Sequence, residues 1–375
     1  DAENLDKSDG GENLNLIFNI LKRGDKLESV INKGVTVENQ KELSDLGLRY
    51  DLTLPLSRYI ANNQNELLMP MKCIQIDRVY RAERPQKGRL REFIQCDIDI
   101  IGSESSDSEL ELILTTVKAL KAIGLSDFTV KINDRRLLTN VLTKLGFDRD
   151  LDSVCISFDK MDKIGLAGVE EELLANGFSR EQVEKYLSLF KGLEEQKDGL
   201  SYLAEELGAF LEPEVRTSLQ EIIESVSATK DADFEMVFDP TLVRGMSYYT
   251  GTIFEIAMPQ FGGSCGGGGR YDKMVGRFTG NDVPACGFSI GFERIFGILM
   301  DNGYEIPGQK KRIAVFYDPD TYAAALQYAE ELRSEYLVST IARPKKLGKF
   351  LNRLETAGYD GFAVYGQEDG VKLFS

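Results

Sequence analysis

Two ten-residue segments, MKCIQIDRVY at 71–80 and EFIQCDIDII at 92–101, alternate apolar with polar positions, as strands buried on one face do. The residues between them include Pro85, Gly88 and most of a basic cluster, so the pattern predicts two antiparallel strands joined by a basic loop. Upstream, GLRYDLTLPLSRY at 47–59 leads from an irregular, charged stretch into a helix after Pro55, a residue tolerated in a first turn. Downstream, SELELILTTVKALKAI at 108–123 has helical spacing and runs into Gly124, a good C-cap, and a short strand follows at 128–132. From about 135 to 232 the chain is charged, Leu-rich and glycine-poor with a 3.6-residue period, which predicts a helical insertion in a sheet domain. Strand character returns at 234–238 and 248–258, before a glycine run at 262–269 and a strand passing into a helix over 285–300. Strands at 313–317, 338–342 and 361–365 then alternate with helices at 321–336 and 346–357, which predicts a small α/β domain with a mostly parallel sheet.

At 375 residues the chain is long enough for two or three domains, and no stretch of eighteen apolar residues is present to span a bilayer. The acidic, polar first residues carry no secretory pattern, so a cytoplasmic location is expected. Five scattered cysteines suit buried small hydrophobes better than a disulfide framework or zinc pairs. The sequence has no histidine, which excludes Ser-His-Asp triads, Cys-His pairs, His-ligated metals and His bases. No metal site made by His or Cys is expected. The net charge of −16 argues against a nucleic-acid partner, but local charge modifies this. Arg78, Arg81, Arg84, Lys87, Arg89 and Arg91 are opposed only by Glu83, and a second basic run occupies 343–349. A solvated face is the plainer reading of the second run.

In the hairpin, guanidiniums on a glycine-containing loop precede a strand on which Gln95, Asp97 and Asp99 share one face. Such a hairpin can hold a phosphate on one side and a cationic ligand on the other, or simply carry surface ion pairs. LVRGMSYYTGTIFEI places Arg244 ahead of Tyr248 and Tyr249, which point to opposite faces if the strand is regular, one to core and one to a ligand. SCGGGGRYD matches no phosphate-loop pattern, yet its glycines imply close approach by backbone or ligand. In GFSIGFERIFGIL, Arg294 stands near a helix start, where an arginine is locally unfavourable unless an anion joins it.

Taken in order, GLRYDLTLPLSRY, YRAERPQKGRLREFIQCDIDIIG, LVRGMSYYTGTIFE, GGGGRYD and GFSIGFERI resemble the class II aminoacyl-tRNA synthetases, and within them the histidyl-tRNA synthetases, over residues 45–375. The resemblance implies an α+β fold: a class II antiparallel sheet flanked by helices, with a helical insertion and a C-terminal α/β anticodon-binding domain. The implied boundaries are catalytic domain 1–134 and 233–306, insertion 135–232 and C-terminal domain 310–375. The implied activity is ligation of L-histidine to tRNA(His) through a histidyl-adenylate, with ATP and Mg²⁺, in a homodimer without membrane contact. By the same resemblance Arg81 contacts the ATP α-phosphate and the amino acid carboxylate, Glu83 the adenine and Arg294 the γ-phosphate. Asp51, Thr53 and Gln95 bind the α-amino group, Asp99 and Tyr249 read the imidazole with Tyr248 nearby, and Arg244 acts at the α-phosphate. Arg84, Gln86, Lys87 and Arg89 lie against the acceptor stem.

Some features depart from the family pattern. No counterpart of its N-terminal segment, which carries the first part of motif 1, is evident. Met246-Ser247 replaces a common Leu-Asp, and Asp51 and Asp99 stand where some members have glutamate. A regulatory paralogue of ATP phosphoribosyltransferase, which binds histidine without charging tRNA, is the alternative expectation. It is disfavoured by Arg81, Arg244, Arg294, the basic loop and the α/β tail.

Overall fold

A computed structural model describes residues 15–37, 39–86, 88–147, 154–155, 157, 161–229, 234–243, 248–260, 262–367 and 369–374. The chain divides into two compact units between Asp301 and Asn302. The first is organised by one seven-stranded sheet.

In chain order the elements of this unit begin with strand β1 (Asn19–Leu21), helix α1 (Asp25–Asn32) and strand β2 (Ser44–Gly47), β1 and β2 forming a small antiparallel ribbon. Helix α2 (Thr53–Asn63) leads to the long hairpin β3 (Met71–Tyr80) and β4 (Glu92–Ile101). Helix α3 (Asp107–Ala122) and strand β5 (Phe128–Asp134) follow. Helices α4 (Arg135–Lys144), α5 (Met161–Ala175), α6 (Arg180–Glu194), α7 (Gly199–Leu207) and α8 (Pro213–Thr229) then separate β5 from β6 (Phe234–Phe238). The unit closes with β7 (Thr252–Met258), β8 (Gly263–Arg270), α9 (Lys273–Thr279), β9 (Ala285–Gly291) and α10 (Phe292–Asp301).

The sheet order is β3-β4-β9-β8-β7-β5-β6, antiparallel throughout except for the parallel pair β5–β6. The antiparallel sheet flanked by helices is therefore present. β5 and β6 lie side by side although five of the named helices intervene in sequence, so the helical stretch is an excursion from adjacent strands. Its apolar residues, among them Val169, Leu173, Val183, Tyr186, Leu203 and Leu219, are buried in the same core as the sheet residues Ile132 and Phe254.

The glycine run, which by sequence has no clear strand character, is itself the central strand β8. Its glycines allow β9 to approach: a Cβ at Gly268 would lie 2.0 Å from the carbonyl oxygen of Gly287, and one at Gly266 2.9 Å from that of Ser289. Alternation of apolar and polar side chains cannot announce a strand that carries none. The strand expected from residue 248 begins only at Thr252.

The second unit has the sheet order β11-β10-β12-β13, built from β10 (Arg312–Tyr317), β11 (Leu337–Ala342), β12 (Gly361–Val364) and β13 (Lys372–Leu373). β10 is parallel to both neighbours, and β13 joins antiparallel at the edge. Helices α11 (Tyr322–Leu332) and α12 (Leu347–Thr356) accompany the sheet. Phe316 and Leu354 pack in one apolar cluster, while Val315, Ala329 and Ala363 pack in another. Among the described residues no helix is long and apolar enough to cross a membrane.

Candidate active site

The period of two along β4 places Gln95, Asp97 and Asp99 on the same face, and all are buried at 8%, 3% and 3% exposure. Register brings Ser289 beside Asp97 and Gly287 beside Asp99 from β9, and Gln75 beside Asp97 from β3. The Gln95 amide donates to the Ser289 hydroxyl at 2.9 Å. The Tyr271 hydroxyl donates to Asp99 Oδ1 at 2.6 Å. Gly287 makes that pairing possible, since a Cβ there would fall 2.0 Å from Asp99 Oδ1 and 3.1 Å from the Tyr271 ring.

Asp51 and Thr53 face the site from the start of α2. Asp51 accepts from the Leu54 amide at 3.0 Å, and both residues are buried. Tyr248 and Tyr249 are both buried as well, their rings 4.8 Å apart, and the Tyr248 ring is 6.1 Å from that of Tyr271. Because this pair precedes β7, the alternation of a regular strand does not separate them. Thr53, Asp51 and Asp97 all act on the Tyr248 hydroxyl, whose pKa burial drives well up. The tyrosines and carboxylates thus share one enclosure.

Among the described residues this enclosure is short of positive charge. Burial and then the neighbouring Asp99 push Asp97 up to about 8, against the pull of Ser289 and Arg81. Burial pushes Asp99 to about 6, opposed by the Tyr271 hydroxyl. Among the described residues Oδ1 of Asp97, Oδ2 of Asp99 and Oε1 of Gln95 are buried without a hydrogen-bond partner. Buried acceptors ordinarily have donors, so these three atoms point to a donor-rich, cationic occupant.

Arg81 begins the loop after β3. Its guanidinium lies 4.3 Å from the Tyr50 ring centre and 5.0 Å from that of Phe93, and its Nε donates to the Tyr50 carbonyl at 3.3 Å. Stacking between two rings fixes a planar fork that suits phosphate or carboxylate. Further along the loop, Gln86 and Arg89 exchange backbone hydrogen bonds of 3.0 and 2.9 Å across a tight turn containing Gly88, whose φ is 72°. Glu83 pairs with Arg89 at 3.7 Å, while Arg84, Gln86 and Arg89 are exposed. Arg294, on the first turn of α10, donates from Nε to the Gly88 carbonyl at 3.3 Å and also to the Ser264 carbonyl, so it ties the loop to β8. Arg244 and Lys87 lie outside the described residues.

The structure therefore brings Asp51, Thr53, Gln95, Asp99, Tyr248 and Tyr249 together, with Arg81 within electrostatic reach of Asp97. Glu83 and Arg294 belong to the adjoining basic loop and its contacts. Three residues that sequence did not single out as ligands also line the enclosure: Asp97, Tyr271 and Ser289. The two-residue period was the signal for Asp97; register between strands distant in sequence, which places Ser289, left none. A cationic and an anionic end could be held at once here, the first among carboxylates and the second at Arg81.

The sequence profile described as Histidyl-tRNA synthetase matches residues 22–295. A histidine–tRNA ligase of Leifsonia xyli subsp. xyli is 41% identical over 97% of this chain and 85% of its own. One of Christiangramia forsetii is 33% identical over 96% of this chain and 81% of its own. Among solved structures, a histidyl-tRNA synthetase from Nostoc sp. PCC 7120 superposes with a TM-score of 0.65 at 26% identity, covering 90% of this chain and 85% of that one. A chain titled ATP phosphoribosyltransferase regulatory subunit/histidyl-tRNA synthetase, from Bacillus halodurans C, gives 0.66 at 22% identity over 94% and 83%, a likeness of fold. With a class II sheet, the ordered motifs and a profile match spanning most of its length, this chain belongs to the histidyl-tRNA synthetase family.

Proposed function

We propose that the protein is a histidine–tRNA ligase, activating L-histidine with ATP and transferring it to tRNA(His). The observation that carries this reading is the enclosure itself: buried carboxylates with unsatisfied oxygens, an aromatic wall, and Arg81 at hand. On this reading Asp51, Thr53 and Gln95 take the α-ammonium, the unsatisfied Oε1 of Gln95 being one acceptor. Asp99 accepts an imidazole N–H at its unsatisfied Oδ2 while Tyr271 holds its other oxygen, and Tyr249 with Tyr248 completes the ring pocket. A ligand without ring N–H groups would leave that carboxylate buried and unpaired, which is how such a site rejects analogues.

Arg81 orients the substrate carboxylate toward the ATP α-phosphorus. A carboxylate oxygen attacks that phosphorus, pyrophosphate leaves, and charge builds on phosphoryl oxygens that Arg81 and Arg244 neutralise. Glu83 holds the adenine and Arg294 the γ-phosphate. Among the described residues no three His, Cys, Asp or Glu side chains are placed to hold an ion. Magnesium would arrive with the ATP and supply charge neutralisation on the phosphates, and no step is assigned to it. In the second step a ribose hydroxyl of the terminal adenosine attacks the acyl carbon, AMP leaves, and a substrate phosphate takes the proton. Arg84, Gln86, Lys87 and Arg89 would meet the acceptor stem, and the C-terminal unit, 302–375, the anticodon. A homodimer, as in the family, and a cytoplasmic location are part of the same proposal.

Amino-acid-dependent exchange of pyrophosphate into ATP tests the reading. Exchange with histidine and with none of the other amino acids is expected, and exchange with another amino acid would overturn it. Histidine binding without exchange would favour the regulatory paralogue.

A further inference from the structure

We propose that Asp97 is a substrate-binding residue of this pocket, binding the α-ammonium of the amino acid as a second carboxylate beside Asp51. The inference rests on the activity proposed above and assigns a role to a residue outside the ligand set that the family resemblance implies. Its geometry is that of a built ligand contact. Asp97 is 3% exposed, lies on β4 between Gln95 and Asp99 on the same face, and keeps Oδ1 without a partner. The proposed α-ammonium site at Gln95 and the proposed imidazole site at Asp99 flank it, so a histidine spanning the two passes directly over Asp97.

The charge balance among the described residues favours a cation there. The charged groups acting on Asp97 are Asp99 from its own strand, Asp51 from the start of α2 and Arg81 from the loop after β3, while Asp97 in turn acts on the Tyr248 hydroxyl and on the thiols of Cys73 on β3 and Cys96 on β4, which burial keeps protonated. Among the described residues three carboxylates face one guanidinium, and in the proposed complex that guanidinium is engaged by the substrate carboxylate and the α-phosphate. In the empty pocket Asp97 is held at about 8, chiefly by burial and then by Asp99, so it carries a proton at neutral pH. An ammonium against Oδ1 favours the ionised form and expels that proton. Histidine affinity therefore rises with pH as Asp97 ionises, and levels off above its pKa.

The test compares the wild type with Asp97→Asn and Asp97→Glu in the exchange reaction between pH 6.5 and pH 8.5. For Asp97→Asn the histidine KM is expected to rise roughly tenfold or more at the alkaline end, as loss of a charge-assisted hydrogen bond predicts, and to change little at the acid end. Its kcat and ATP KM should stay close to wild type, and Asp97→Glu should restore the pH dependence. Des-amino histidine, imidazolepropionate, is the discriminating probe: its inhibition constant should be the same for wild type and Asp97→Asn. A histidine KM unmoved at every pH, a parallel fall in kcat and ATP affinity, or an equal loss for the des-amino probe would each overturn the proposal. A measurement without variants completes the test. Calorimetric titration of the wild type with histidine at pH 7, in buffers of different ionisation enthalpy, should show release of most of one proton, and uptake or no net exchange would overturn it. Absence of histidine-dependent exchange in the wild type would instead strike the activity, leaving these binding measurements to decide on Asp97.

Discussion

At Asp99 one oxygen is held by Tyr271 at 2.6 Å and the other is left open, so the tyrosine sets the direction in which the carboxylate presents itself. Tyr271→Phe keeps the ring and removes that donor. A hydrogen bond to a charged group contributes about 1.5–3 kcal/mol, so the histidine KM in pyrophosphate exchange should rise roughly tenfold to a hundredfold while the ATP KM holds. An unchanged histidine KM would show that Asp99 is oriented without it. Of these residues, sequence alone exposes Gln95, Asp97 and Asp99 as a row, because the period of a strand is written in its own residues. Tyr271 and Ser289 reach them through strand pairings separated by more than a hundred positions, which no local pattern encodes. The tyrosine pair was ambiguous for a different reason: its local backbone is irregular, and periodicity says nothing about irregular backbone.

Elements are locked together by a few buried polar contacts. Arg270 at the end of β8 is 9% exposed and forms a two-pronged pair with Glu109 of α3, both bonds 2.7 Å, while also donating to the Ser103 and Ser105 carbonyls at 3.1 Å. This cluster pins the start of α3 to the central strand. Glu109→Gln removes the nearer of the two carboxylates paired with a buried guanidinium, leaving Asp272 at 3.3 Å, and breaking a buried pair costs about 3–5 kcal/mol in comparable sites. Chemical denaturation should record a loss in that range, and a loss below about 1 kcal/mol would mean that the carbonyls and Asp272 suffice. The hairpin, the helical excursion and the alternating C-terminal elements were legible because each keeps a clear period over many residues. β8 was not, since its glycines display no period at all.

Across the whole molecule, the division at Asp301 separates a unit with one continuous core from a smaller one with clusters around Phe316 and Val315. Each unit buries its own apolar residues. A fragment of 302–375 is expected to fold alone and unfold cooperatively in a thermal melt monitored by circular dichroism; a featureless melt would show that it depends on the first unit. The glycine strand has a consequence for how such a molecule can evolve. Where β8 and β9 run closest, positions 268 and 287 admit no side chain, and each fails for a different reason: a Cβ on the first strikes backbone, and on the second the Asp99 carboxylate. A saturation library should therefore show these positions as a band of near-total intolerance across the centre of the sheet. Any drift toward a different amino acid substrate must be written on β4 and on the tyrosines opposite, the parts of the wall where chemistry can be edited.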